Sequence, residues 1–180
     1  MRTVTLLVGL IALFSANKGL AQDDLDSNYA VYEGQTFSYM LESPDDWVLN
    51  LDEAQHDELS ACMFPKIMTY TDAKLAINVW IFKLDSLSLQ EFITRDSAFY
   101  IKSNSSIVFD KRDSIKISEN LYAVALRTNN PGTDYSLAMV AYIDAVTEVI
   151  VYELNIHNYS YYLAGAVKLE EALKKFAFIR

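Results

Sequence analysis

The chain has 180 residues, a formal net charge of −9 at pH 7 and an apolar share of 52%. An acidic protein is repelled by phosphate backbones and anionic lipid headgroups, so this charge argues against nucleic-acid binding and against attachment to a membrane surface. Cys62 is the single cysteine, which excludes an internal disulfide, and its apolar neighbours Ala61 and Met63 predict a buried thiol.

The first 21 residues have the parts of an export signal. Arg2 precedes an apolar run, Val4 to Phe14, and the small residues Gly19 and Ala21 occupy the positions that a signal peptidase reads for a cut after Ala21. This run is shorter than the roughly 20 residues that span a bilayer, and no cysteine follows it as a lipoprotein anchor requires. We therefore expect residues 1–21 to be a signal peptide and the protein to be exported, periplasmic or secreted, without stable membrane insertion.

The rest of the chain has the length of about one domain. Residues 22–33 are acidic and polar, which predicts a mobile leader, and residues 34–180 are expected to form a single domain. Removal of Arg2 and Lys18 with the signal peptide would take the formal charge from −9 to −11, because residues 1–21 contain no acid.

One short strand is predicted at 37–41, a second begins at Trp47, and a third covers 61–70. Pro65 interrupts the third and indicates an edge position or a bulge. The clearest strand is 74–83. Its apolar side chains point alternately to both faces, which is typical of a strand covered on both sides and therefore inside a sheet.

A capping box, Ser88 to Glu91, starts the first long helix. Further strands are predicted at 106–109, 114–117, 121–127, 135–143 and 146–155, with a turn at 129–132 and a tight hairpin connection at 144–145. Apolar residues recur every three or four positions over 159–175 and predict an amphipathic last helix. Adjacent strands with short turns and two long helices predict an α+β fold, a mainly antiparallel sheet sandwiched by helices.

The segment Gly34-x-x-Phe37-x-x-x-Leu41-x-x-Pro44-x-x-Trp47 resembles the opening hairpin of the PsbP-like α/β/α sandwich superfamily, which includes Mog-type proteins and exported bacterial DcrB-like proteins. In that pattern an apolar strand ends in a proline turn, and the tryptophan begins the return strand.

The helix start at 88–92 and the aromatic-rich end at 176–179 are similar to the same superfamily. The resemblance implies non-enzymatic work, because its members dock on larger assemblies or bind partners. These are packing motifs, however, and a fold can transfer without its activity.

The densest set of metal-ligand residues in the sequence lies between two predicted strands: Asp52, Glu53, His56, Asp57 and Glu58. Oxygen-rich clusters suit calcium or manganese, and the histidine favours manganese. The competing interpretation is a solvated acidic loop, which we weight more heavily because the spacing lacks the glycine and regular oxygen placement of an EF-hand. No cofactor is expected otherwise.

Catalytic motifs are absent from the sequence. The two histidines, His56 and His157, are about a hundred residues apart, and Ser160 is the serine closest in sequence to His157. The leading hypothesis is therefore a non-catalytic domain that binds an unknown protein partner. On the last helix, Tyr161 is expected to face outward, and Tyr161 and Lys168 are candidate partner contacts. A small-ligand or divalent-metal binder and a hydrolase with a dispersed site remain the alternatives.

Overall fold

A computed structural model describes residues 28–128 and 136–179. The predicted signal peptide, residues 22–27 of the predicted leader and the predicted turn at 129–132 lie outside these residues. Within the described ranges, no helix is long and apolar enough to cross a membrane.

The described residues form two antiparallel sheets and three α-helices, with a turn of 3-10 helix at Tyr159–Tyr161. The strands are β1 Tyr29–Glu33, β2 Ser38–Glu42, β3 Trp47–Asn50, β4 Ala61–Pro65, β5 Leu75–Lys83, β6 Phe109–Lys116, β7 Tyr122–Thr128, β8 Ser136–Asp144, β9 Glu148–Ile156 and β10 Ala177–Ile179. The helices are α1 Leu51–His56, α2 Leu89–Ser103 and α3 Tyr162–Lys175.

The large sheet has seven strands in the order β3-β4-β5-β9-β8-β7-β6, and the small sheet has the order β1-β2-β10. At the centre of the large sheet, β5 pairs with β9 over its full length, from Leu75 opposite Ile156 to Lys83 opposite Glu148. This pairing joins segments far apart in sequence and makes the hairpin β8–β9 the middle of the sheet.

Each face of the large sheet has its own cover. One face packs against α3 and the small sheet, in a core that includes Ile77, Tyr152 and Leu169. The opposite face packs against α2 through residues such as Phe92 and Tyr142, while α1 covers the end near β3 and β4. The predicted α+β class, a mainly antiparallel sheet sandwiched by helices, is confirmed, and the small sheet is an addition to it.

Local patterns predicted several elements correctly. Side chains of β5 enter both cores, Ile77 and Val79 on one face and Trp80 and Phe82 on the other. The Ser88 hydroxyl accepts from the backbone N–H of Glu91, whose carboxylate accepts from the Ser88 N–H in return, as a capping box requires. The predicted pairing of β8 with β9 is also present.

Three expectations need correction. Residues 29–33, expected to belong to a mobile leader, form strand β1. This strand pairs with β2 and buries Ala30 and Tyr32. The separate strands predicted at 106–109 and 114–117 are the single strand β6. Pro65 belongs to no edge strand: it ends β4, which lies between β3 and β5. The structure also adds a strand that no pattern predicted: the aromatic-rich end of the chain, Ala177–Ile179, pairs with β2.

Candidate functional site

The last helix is set in place by a capped turn. The Asn158 side chain accepts a hydrogen bond from the backbone N–H of Ser160 at 3.0 Å, which starts the 3-10 turn leading into α3. Lys174 and Lys175 lie in the last turn of α3, where positive charge favours the negative end of the helix dipole.

The inner face of α3 packs closely on the large sheet. Gly165, Leu169, Ala172 and Leu173 are its buried residues. A Cβ on Gly165 would lie 3.0 Å from Leu154 Cδ1, so the glycine allows the helix backbone to approach β9 closely. This contact fixes which side of the helix faces outward.

The outer face of α3 and of the turn before it carries an exposed apolar row. Tyr159, Leu163 and Val167, here called the outer stripe, follow one another at four-residue spacing and are 66%, 77% and 64% exposed. Leu163 and Val167 are four residues apart on α3 and therefore lie on the same side of it, and the exposed Tyr159 lies in the turn that leads into them. The ring of Tyr159 stacks on Tyr162, with 5.6 Å between centroids, which orders the start of the stripe.

The outer stripe contrasts with the rest of the chain in charge. No charged residue occurs from Tyr159 to Val167, although 22% of the whole chain is charged. Single exposed apolar residues are ordinary, but an aligned uncharged row of three large ones is the kind of surface that marks a protein interface. The stripe is therefore the candidate functional site.

The charged second half of α3 has an internal use. Lys168 donates to the backbone carbonyl of Asp45 at 2.9 Å and pairs with Glu171 at the same distance. Lys175 donates to the Asp45 carboxylate at 2.7 Å, and this hydrogen bond holds the pKa of Asp45 below its usual range. These contacts hold the turn at residues 43–46 against α3.

The two predicted partner contacts differ from expectation in their setting. Tyr161 was predicted to face outward, but it is half-buried against the main core, and Tyr159 is the more exposed tyrosine. The reason is that residues 159–161 form a 3-10 turn, which rotates these side chains relative to an α-helix. Lys168 is occupied by Asp45 and Glu171.

The residues of the predicted cation site lie on and just after α1. Asp52, Glu53 and His56 lie on α1, and the backbone at Glu58 has a positive φ of 61°. Asn50 caps α1 by accepting from the backbone N–H of Glu53 at 2.8 Å. Among the described residues, no group of three or more histidine, cysteine or acidic side chains is arranged to hold a metal ion.

The two histidines considered for catalysis lie on different elements of the fold. His56 ends α1, whereas His157 follows β9 and donates its backbone N–H to the carbonyl of Lys74 at 2.8 Å. The predicted burial of Cys62 is confirmed, and burial raises the pKa of its thiol to about 12.

Among solved structures, cyanobacterial PsbP (CyanoP) from Synechocystis sp. PCC 6803 is similar, with a TM-score of 0.57 and 9% sequence identity over 90% of this chain and 99% of that chain. The chain has a PsbP-like fold. No family model and no curated protein matches the sequence. The narrower resemblance to Mog-type and DcrB-like proteins stays a prediction. At this identity the likeness shows the fold and carries no function with it.

Within the PsbP-like fold, sequence reasoning found the last helix but missed its exposed residues. Leu163 and Val167 carry a signal that was available, since they continue the four-residue spacing from Tyr159. Their outward position was not predicted because Tyr162, Ala166 and Leu169 define a second row at similar spacing. Only packing shows that the second row faces the core and the first faces outward.

Proposed function

We propose that this chain is a non-catalytic accessory domain that is exported and binds a protein partner, in the cell envelope or outside the cell, through the outer stripe of α3. The exposure of Tyr159, Leu163 and Val167 in one uncharged row is the observation that carries the proposal. The PsbP-like fold is compatible with accessory work, and the placement of His56 on α1 and His157 after β9 gives no support to a hydrolase site that uses both.

The stripe indicates the chemistry of the partner. Three residues at four-residue spacing span about 12 Å of helix, the length of a small apolar row on another helix or strand. Binding would bury the apolar side chains, and tyrosine is among the residues that most often dominate interface energy. The absence of charge in this row favours a partner surface that is also apolar at its centre, with any ionic contacts at the rim.

A site-specific crosslinking experiment in the native host tests the proposal. A photoreactive amino acid replaces Leu163 in one variant and Phe99 in a matched control, because Phe99 is also a large side chain on a helix and is 64% exposed. Phe99 belongs to α2, which covers the opposite face of the large sheet. We expect one protein to crosslink at position 163 and not at position 99.

Leu163→Lys and Phe99→Lys provide the second arm. Both place a good helix former at an exposed position, so both should unfold within about 0.5 kcal/mol of wild type. We expect affinity capture of the crosslinked protein to be lost in Leu163→Lys and kept in Phe99→Lys. Equal capture by the two variants, or equal crosslinking at the two positions, would contradict the assignment of the stripe. Recovery of the chain alone in every arm would move the weight to the small-ligand interpretation.

A further inference from the structure

Helix α2 is attached to the large sheet differently from α3. Its 15 residues include one fully buried side chain, Ile93. Leu89, Phe92 and Tyr100 are partly buried in the same core. A helix with so little buried apolar surface depends more on its polar contacts with the sheet than a well-buried helix does.

Two tyrosine–carboxyl contacts join α2 to the sheet, and they run in opposite directions. Tyr142 of β8 donates its hydroxyl hydrogen to Asp96 Oδ2 of α2 at 2.9 Å. Tyr100 of α2 donates in turn to the carboxylate of Glu153 on β9. Each carboxyl group therefore lies at the helix–sheet boundary, with a tyrosine from the opposite element as its partner.

In the part of the chain that the structure describes, neither carboxyl group has a cationic partner. Among the described residues, no lysine, arginine or histidine forms a salt bridge with Asp96 or Glu153. Arg95, the nearest cation in sequence, is exposed and acts on Glu91 instead. The groups that face the two carboxyls from the elements around them are Tyr100 of α2, Trp80 of β5, Tyr142 of β8 and Asn155 of β9, and the charge of Glu153 also acts on Asp96.

Burial without a cation disfavours the charged form of both groups. Burial raises the pKa of Asp96 from 3.8 to about 6, the Tyr142 hydrogen bond opposes this shift, and the negative charge of Glu153 adds to it. Burial also raises the pKa of Glu153. Because like charges repel, ionising one carboxyl makes ionisation of the other still less favourable.

We propose that α2 is a pH-responsive element of this fold: the Tyr142–Asp96 and Tyr100–Glu153 contacts place both carboxyl groups at the helix–sheet boundary without a salt-bridge partner among the described residues, and α2 is released more readily once both groups are charged. A carboxyl pKa that is higher in the closed state than in the open state makes the closed state relatively more stable at low pH. That stability is lost as the pH rises through the folded pKa. The release exposes an apolar face of the sheet that includes Phe82 and Val151.

The size of the effect follows from linkage. If Asp96 regains its ordinary pKa of 3.8 when α2 opens and has a pKa of about 6 when it is closed, the opening equilibrium rises about twentyfold between about pH 4.5 and about pH 7.5. The shift of Glu153 acts in the same direction and adds to this factor.

Hydrogen exchange of the full chain measures this opening. Protection factors, corrected for the intrinsic pH dependence of exchange, are compared for α2 and for α3 across this pH range. We expect α2 protection to fall about twentyfold or more as the pH rises, in line with the linkage estimate. We expect α3 protection to change much less, because its contacts do not involve these two carboxyl groups. Flat α2 protection, or an equal fall in both helices, would overturn the proposal.

Two variants separate titration from a general loss of packing. Asp96→Asn keeps an acceptor for Tyr142 but cannot ionise, so the part of the pH dependence of α2 that comes from Asp96 should disappear and the part that comes from Glu153 should remain. Tyr142→Phe removes the donor that favours charged Asp96, so the midpoint should move to higher pH. A purely structural role would lower α2 protection at every pH without moving the midpoint, and that result in Tyr142→Phe would also overturn the proposal.

Discussion

Gly34, in the turn between β1 and β2, provides the sharpest stability test of this structure. Its N–H donates to the Phe37 carbonyl at 3.1 Å, which closes the turn. A Cβ at position 34 would lie 2.3 Å from Glu148 Oε2 and 2.6 Å from the Phe37 carbonyl oxygen. The Phe37 oxygen is backbone, and Glu148 is only 2% exposed, so neither neighbour can move away freely.

Gly34→Ala should therefore destabilise the fold. Overpacking of this kind costs about 1–3 kcal/mol. Loss of backbone freedom in the unfolded chain offsets roughly 0.4–1 kcal/mol of that cost. A net loss of about 1–2 kcal/mol is expected, which would lower Tm by roughly 2–8 °C in a domain of this size.

Gly165→Ala is the matched control, because the same substitution has the opposite expectation there. The closest atoms to its added Cβ would be the side-chain ends of Leu154, at 3.0 and 3.1 Å. Alanine gains about 1 kcal/mol over glycine inside a helix, so the net change should be close to zero or stabilising.

Urea unfolding of the two variants, with unchanged slope, measures the difference. The reasoning is refuted if Gly34→Ala unfolds at the wild-type midpoint, or if Gly165→Ala loses more stability than Gly34→Ala.

Three further predictions concern single side chains. Cys62 should react with thiol reagents at pH 8 only as fast as the protein unfolds, because its sulfur is buried and burial raises its pKa to about 12; stoichiometric labelling of the folded chain within seconds would contradict this. Ser88→Ala should cost about 1 kcal/mol in urea unfolding, since it removes the N-cap of α2, and an unchanged midpoint would show that the cap contributes nothing. Asp96→Asn should raise the free energy of unfolding by up to about 2–3 kcal/mol above pH 6 and change it little near pH 4, because the folded protein raises the pKa of Asp96 to about 6. An equal change in the free energy of unfolding at both pH values would rule out titration as the cause.

The parts of the fold that sequence predicted are those set by neighbours along the chain. The Ser88 capping box needs only four consecutive residues, and the alternation of Ile77, Val79 and Trp80 reads directly as a strand covered on both faces. The tight hairpin β8–β9 likewise depends on a short connection.

The incorrect predictions concern elements whose position depends on pairing with other strands, which a local sequence pattern does not contain. Strand β1 follows an acidic segment and becomes a strand only because β2 pairs with it. A proline inside a strand pattern predicts an edge position or a bulge, yet Pro65 lies at the end of an interior strand.

The candidate site shows the same division. By itself the sequence determined that α3 is an amphipathic helix and that the chain is acidic, because helical periodicity and charge are properties of the residues in order. Tertiary structure decided that Leu163 faces outward and Tyr161 inward, and that Lys168 serves the turn at residues 43–46. It also decided that Asp96 and Glu153, 57 positions apart in the chain, lie at the same boundary between α2 and the large sheet, where neither pairs with a cation among the described residues. Burial and charge pairing depend on which distant segments meet, and that is fixed only when β5 pairs with β9 and the helices cover the sheet they form.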